Sequence, residues 1–170
     1  MTNELVLLIG QYGMLVVFGN VLLEQLGLPI PAIPTLVVAG ALAADGKLTA
    51  ASLFAIAILA CAIADGLWYA AGRIYGNRVM KTLCRMSLTP DSCVSQTQAR
   101  FERWGVNALV VAKFIPGLAT IAPPLAGATG ISGVRFLCFN TLGSALWVAV
   151  SLGIGMLFNT QIEHALGRLG

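Results

Sequence analysis

Three ionisable side chains, Glu24, Asp65 and Lys113, stand in apolar surroundings where a charge is costly. Lys113 is the most isolated, inside Ala108-Leu-Val-Val-Ala-Lys-Phe-Ile-Pro-Gly117 with five uncharged residues on each side. A buried ammonium requires an anion, for which Glu24, Asp65 and a substrate phosphate are the candidates; the structural alternative is a stem that snorkels to the interface. Asp65 lies in Ala64-Asp-Gly-Leu-Trp-Tyr69. Desolvation there would favour its protonated form, as a proton carrier needs, whereas a cation such as Arg73 or Arg78 would hold it ionised. Trp68 and Tyr69 beside it have the character of an interfacial belt. Glu24 stands just before Gly27-Leu-Pro-Ile-Pro31, a broken segment that would hold it at a functional position unless it lies at the surface. Thr35 and Thr120 add hydrogen-bonding groups for substrate, and Asn140 is placed to tie two spans together.

Other chemistries find no support. There is no G-x-S-x-G elbow and no H-E-x-x-H, and the single histidine, His164, cannot supply an acid/base pair, so enzymatic activity is not expected. Cys61, Cys84, Cys93 and Cys138 have no C-x2-C spacing, so neither a metal site nor a disulfide framework is expected, and no cofactor is implied. Cys61 and Cys138 read as small buried hydrophobes. Arg73, Arg78, Lys81, Arg85, Arg100 and Arg103 concentrate the basic charge in one stretch, but without interleaved aromatics or a reader fold they do not point to nucleic acid.

The elements that must position these residues follow from composition. Apolar residues make up 58% of the chain and charged residues 10%, against about 25% charged in soluble domains. The expected class is an all-α integral membrane protein forming one domain. Residues 5–23, 50–71 and 136–158 are long and apolar enough to span. The first of these lacks the basic n-region and cleavage site of a signal peptide, and reads as a membrane segment of the mature protein. Residues 28–44 and 106–131 are equally apolar but interrupted by Pro29, Pro31 and Pro34 in one, and Pro116, Gly117, Pro123 and Pro124 in the other. Irregular backbone at bilayer depth survives only where protein covers it or water bathes it, so each is expected to be a re-entrant hairpin facing the other.

An internal repeat relates them: Ile30-Pro31-x-x-x-Thr35 recurs as Ile115-Pro116-x-x-x-Thr120, and Ala39-Gly-Ala41 as Ala126-Gly-Ala128, each followed by a span. The positive-inside rule places the basic stretch, within residues 72–105, in the cytoplasm. The two hairpins then enter from opposite sides, an inverted repeat of two re-entrant hairpins plus about three spanning helices, the plan of many secondary transporters. Residues 86–98 read as a polar loop, and Ser95–Arg103 as a short basic helix, either a solvated connector or one lying at the level of anionic headgroups.

The ordered set Glu24, Gly27-Leu-Pro-Ile-Pro31, Asp65-Gly-Leu-Trp-Tyr-x-x-Gly-Arg73, Phe101-Glu-Arg-Trp-Gly105 and Lys113-Phe-Ile-Pro-Gly117 resembles the DedA family, also called the SNARE-associated or VTT domain. The resemblance implies two opposed hairpins and movement of a lipid, a phospholipid or polyprenyl phosphate, across a bacterial inner membrane, with the proton-motive force as the implied drive. It matches Glu24 to the family's first membrane acid and Lys113 to its usual arginine before F-I-P-G. Two departures weaken proton coupling and phosphate specificity. Ala32-Ile33 stands where the family commonly has an acid, and Leu118 where it has a second arginine; lysine at 113 also lacks the bidentate fork of arginine.

The expected function is therefore a flippase-like or scramblase-like transporter in which Lys113 meets the phosphate while Glu24 or Asp65 balances it and carries a proton. The expected partners are the lipid and protons, with homo-oligomer formation left open. Proton-coupled transport of a small soluble ion and a non-transporting assembly role stay open beside it.

Overall fold

Alanine, the strongest helix former, is the commonest residue of 50–75, and leucine, another strong one, is the commonest beyond residue 133. The computed structural model describes residues 2–85, 90–115 and 117–167. They form α1 (Thr2–Gln25), α2 (Ile33–Ala44), α3 (Ala50–Tyr75), α4 (Asn77–Arg85), α5 (Pro90–Trp104), a 3-10 turn (Gly105–Asn107), α6 (Ala108–Ala112), α7 (Leu118–Ala128) and α8 (Gly133–Gly167). No strand occurs among the described residues.

Two of these helices, Ala50–Tyr75 and Gly133–Asn159 within α8, are long and apolar enough to cross a membrane. Residues 5–23, the other expected span, fall within α1. In α3 the buried stripe runs from Leu53 through the small residues Ala57, Ala60, Cys61 and Ala64 at helical spacing and leads to Asp65. Leu59, Ile63, Leu67 and Ile74 face outward instead. Small residues inside and large aliphatic ones outside is the pattern expected where lipid tails surround the helix and close backbone approach joins it to its neighbours.

The chain forms two compact units. The first takes α1 to Glu24, α2, α3 up to Ala60, and α8 from Ala145. The second takes Gln25–Gly27 and the chain from Cys61 to Ser144. Its core joins Phe101 of α5, Leu109 and Ala112 of α6, Leu125 and Ala126 of α7 and Phe136 of α8.

Each unit contains one short helix docked on one long helix, and the docking repeats. In the first unit Gly40 of α2 lies so close to α8 that a Cβ would overlap the Leu152 carbonyl, while a Cβ on Gly155 would overlap the Val37 carbonyl. In the second unit Gly127 of α7 meets the Tyr69 carbonyl of α3 in the same way, and Gly72 meets that of Pro124. Gly72 and Gly155 occupy the same position counted from the first residues of their helices, Ala50 and Gly133, and so do Tyr69 and Leu152. The repeat read from Ile30-Pro31 and Ile115-Pro116 therefore extends to contacts. The pairing is exchanged, since each short helix packs on the long helix that follows the other copy.

Several boundaries differ from the sequence reading. Residues 72–105, expected to link two spans and to include a short helix over Ser95–Arg103, contain α4 and α5, and within the polar stretch 86–98, read as a loop, the described part, from Pro90, is helical. Proline is suited to the first helical position, which accounts for a helix where turn residues were conspicuous. Met86–Thr89 and Pro116 lie outside the described residues. In the first interrupted segment the break covers Leu28–Ala32 and takes in Pro29 and Pro31, whereas Pro34 is already in the first turn of α2. In the second, the break follows α6 and includes Gly117, whose φ of 83° favours glycine. Pro123 and Pro124 do not break the chain; they lie inside α7, buried where it meets Gly72 of α3. Their missing N–H groups release two carbonyls without ending the helix, which membrane helices tolerate.

Gly72→Ala should force α3 and α7 apart and cost roughly 1–3 kcal/mol, the range for overpacked cores. Gly66→Ala, on the same helix but with open space around it, should be neutral or slightly stabilising. Thermal unfolding of the detergent-purified variants measures both; equal melting of the two would show that the close approach is not a constraint.

Candidate functional site

Lys113 caps the C-terminus of α6, where the chain tightens: Phe114 N–H donates to the Val111 carbonyl at 3.0 Å and Ile115 N–H to that of Ala112 at 3.1 Å. The side chain turns inward rather than snorkelling, and the residue is only 6% exposed. Its ammonium donates to Asp65 Oδ2 at 2.5 Å and to Gln25 Oε1 at 2.8 Å. Asp65, fully buried at the end of the small-residue stripe of α3, also accepts from Asn140 Nδ2 of α8 at 2.8 Å. One buried ion pair thus gathers the end of α1, the middle of α3, the break after α6 and the start of α8. Of the three anions available to Lys113 in the sequence reading, Asp65 is within ion-pair distance, at 2.5 Å.

The pair is not fully saturated by protein. Asp65 Oδ1 is enclosed with no hydrogen-bond partner among the described residues, as are Trp68 Nε1 one helical turn further along α3 and Ser144 Oγ one turn beyond Asn140 on α8. Buried polar atoms are normally paired, so a run of such atoms beside an ion pair marks a polar interior. The repeat sharpens the point. By the helix register that matches Gly72 to Gly155, Asp65 corresponds to Val148 and Asn140 to Ala57; by the register that matches Ile115 to Ile30, Lys113 corresponds to Leu28. The matching positions lie in the first unit and are apolar, so the charged cluster belongs to the second unit only.

The other expected site residues, Glu24, Thr35 and Thr120, are half-buried. Glu24 and Thr35 belong to the first unit, at the end of α1 and in the first turn of α2. Thr120 lies in the first turn of α7, with its methyl group toward Gly27. Arg73 does not pair with Asp65. It donates to the Ile131 carbonyl at 3.1 Å and to Tyr69 Oη at 3.2 Å, while the Tyr69 hydroxyl donates to the same carbonyl at 2.5 Å and its ring stacks on Phe136 at 4.3 Å. The Trp-Tyr-x-x-Gly-Arg stretch is thus a clamp from α3 onto the turn between α7 and α8. Sequence reasoning missed Gln25, whose amide gives the ammonium a second acceptor; its position at the start of a broken segment, next to Glu24, was the available signal.

The VTT domain family profile matches residues 30–157. The inner membrane protein YghB of Escherichia coli (strain K12) is 35% identical over 82% of this chain and 65% of its own length. An uncharacterised membrane protein of Synechocystis is 28% identical over 85% of this chain and 66% of its own. The protein DedA of Escherichia coli (strain K12) is 28% identical over 90% and 73%. The chain thus spans about two thirds of the length of the first two relatives, 66% and 65%. No solved structure matches.

Removing one member of a buried pair strands the other, at a cost of about 3–5 kcal/mol, whereas removing both is often tolerated. Lys113→Met and Asp65→Leu should each lower the melting temperature in detergent by more than about 5 °C, and the double variant should melt above both. Additive losses would mean the two charges are not coupled.

Proposed function

The chain belongs to the VTT-domain family of membrane proteins, and on that premise we propose that it carries the phosphate-bearing headgroup of a phospholipid or polyprenyl phosphate across a bacterial inner membrane while the tails stay in the bilayer. The observation that carries this reading is the buried Lys113–Asp65 pair at a helix break, which takes one residue from each copy of the sequence repeat and lies within the second unit. An ion pair kept in a membrane interior at a helix break suits a site that exchanges partners.

The exchange is one of charge. With no substrate, Asp65 neutralises Lys113. A headgroup phosphate that takes the ammonium leaves the Asp65 carboxylate uncompensated, and a proton on it restores neutrality. Oδ1, which has no hydrogen-bond partner among the described residues, is the oxygen available to hold that proton. Gln25 and Asn140 stay neutral throughout and orient the two charges. The break beyond Lys113 and the break at Leu28–Ala32 supply backbone that can rearrange as the headgroup passes, the two interrupted segments acting as re-entrant hairpins of opposite insertion. The basic stretch from Arg73 to Arg103 faces the cytoplasm in this arrangement. Glu24, at the end of α1, is a second candidate proton carrier.

The test is a headgroup-accessibility assay in liposomes of phosphatidylethanolamine and phosphatidylglycerol, with fluorescent phospholipid reporters. Lys113→Met should slow flipping at least about tenfold, the worth of one charge-assisted hydrogen bond. Asp65→Asn, which keeps shape and an acceptor for Lys113, should flip at a rate indifferent to an imposed pH gradient that alters the native rate. Native rates in both variants would remove the pair from the mechanism. A pH change driven by a soluble ion in vesicles where lipids do not flip would favour the small-ion reading.

A further inference from the structure

On the side of α6 away from the Lys113 ammonium the second unit contains a cavity of about 180 Å³ that the transport reading leaves without a role. Its floor and walls are apolar: Ala108 and Val111 of α6, with Ile115 and Leu118 after it. Val111 and Ile115 flank Lys113 at two residues on either side, which at helical or 3-10 spacing turns them away from the direction of its side chain. At the rim stand Arg100, Arg103 and Trp104, three residues that share one face of α5 by their i, i+3, i+4 spacing. All three are exposed, and neither guanidinium has a hydrogen-bond or ion-pair partner among the described residues.

We propose that this cavity is a binding site for one anionic phospholipid, whose phosphate is held by Arg100 and Arg103 and whose upper acyl chain enters the cavity against Val111 and Ile115. The chemistry is complementary at each level. Paired guanidiniums offer forked donors to a phosphate, an exposed indole suits the headgroup boundary, and the aliphatic walls below accept methylenes. A protein segment would need acidic side chains at the rim and apolar ones below in an order that an anionic lipid has by construction. The volume admits part of one chain, so the lipid is anchored rather than engulfed. The site does not require that the protein transports lipid, because it uses none of Lys113, Asp65, Gln25 or Asn140. It does place a lipid on the same five-residue helix that carries Lys113, from which its occupancy can bear on the ion pair.

Trp104 is the built-in probe. Its fluorescence, isolated as the difference between the native chain and Trp104→Phe, is measured in phosphatidylcholine vesicles with a minor fraction of brominated phosphatidylglycerol or, in parallel, brominated phosphatidylcholine. The expected result is stronger quenching by brominated phosphatidylglycerol, displaced by unbrominated phosphatidylglycerol, with a relative affinity of about tenfold or more for two arginines at a headgroup. Arg100→Gln/Arg103→Gln should abolish the preference. Val111→Phe, which fills the cavity and leaves both arginines in place, should also abolish it. Equal quenching by the two lipids in the native chain overturns the proposal and opens the cavity to a protein occupant; a preference that survives Val111→Phe overturns it too, reducing the arginines to general surface attraction. Circular dichroism confirms that both variants remain helical. Flipping measured in the same vesicles scores the transport reading separately, since neither outcome there changes the quenching ratio.

Discussion

The structure turns on a charge pair enclosed in an apolar interior. Lys113 and Asp65 meet at 2.5 Å, and neither would be tolerable there without the other. The need to bring them together disciplines the elements around them. Asp65 reaches its place because α3 carries small residues along one face, so its neighbours can approach closely enough for a side chain of only two carbons beyond Cα. Lys113 reaches it because α6 stops where it does. A helix continued through Pro116 would lose a backbone bond just where the lysine turns inward. Gln25 and Asn140 then fix the pair from α1 and α8, so that four separate elements converge on two formal charges.

The protein is built from two copies of one contact scheme, and the copies are unequal. The glycine contacts of α2 on α8 and of α7 on α3 match residue for residue in the long helices. The polar residues do not, since Val148, Ala57 and Leu28 occupy the positions matching Asp65, Asn140 and Lys113. The scaffold is thus shared between copies while the chemistry is confined to one. In a symmetrical pair of polar clusters, two buried ion pairs would have to be held by the same small number of helices.

How much of this was legible in the sequence depended on whether the signal was local. The spans were, because a membrane helix announces itself by a continuous apolar run. So was Lys113, whose isolation marked it before any partner could be named. The partner was not, because Glu24, Asp65 and an external phosphate satisfy the same local requirement and only the packing of α3 against α6 decides. Arg73 looked like a partner for Asp65 from its distance along the chain, but the helix turns it to Tyr69 and the Ile131 carbonyl. Pro123 and Pro124 looked like a break because isolated prolines end helices; within α7 the close contact with Gly72 holds the helix together around them. The helix from Pro90 was obscured by turn-forming residues that serve equally well as a helix start. Gln25 was passed over because an uncharged amide is marked only by its place, beside Glu24 at the start of a broken segment.

The exchanged docking of the short helices has a consequence for how the protein is made. α2 is synthesised early, yet the surface it rests on, around Leu152 and Gly155, emerges near the end of the chain. α7 in contrast finds α3 already waiting. During translation the second unit can therefore close first, while the first unit must keep a proline-initiated, glycine-bearing helix unsheltered in the bilayer until α8 arrives. A nascent chain released before Leu152 would hold an assembled polar cluster and a short helix still lacking its α8 surface.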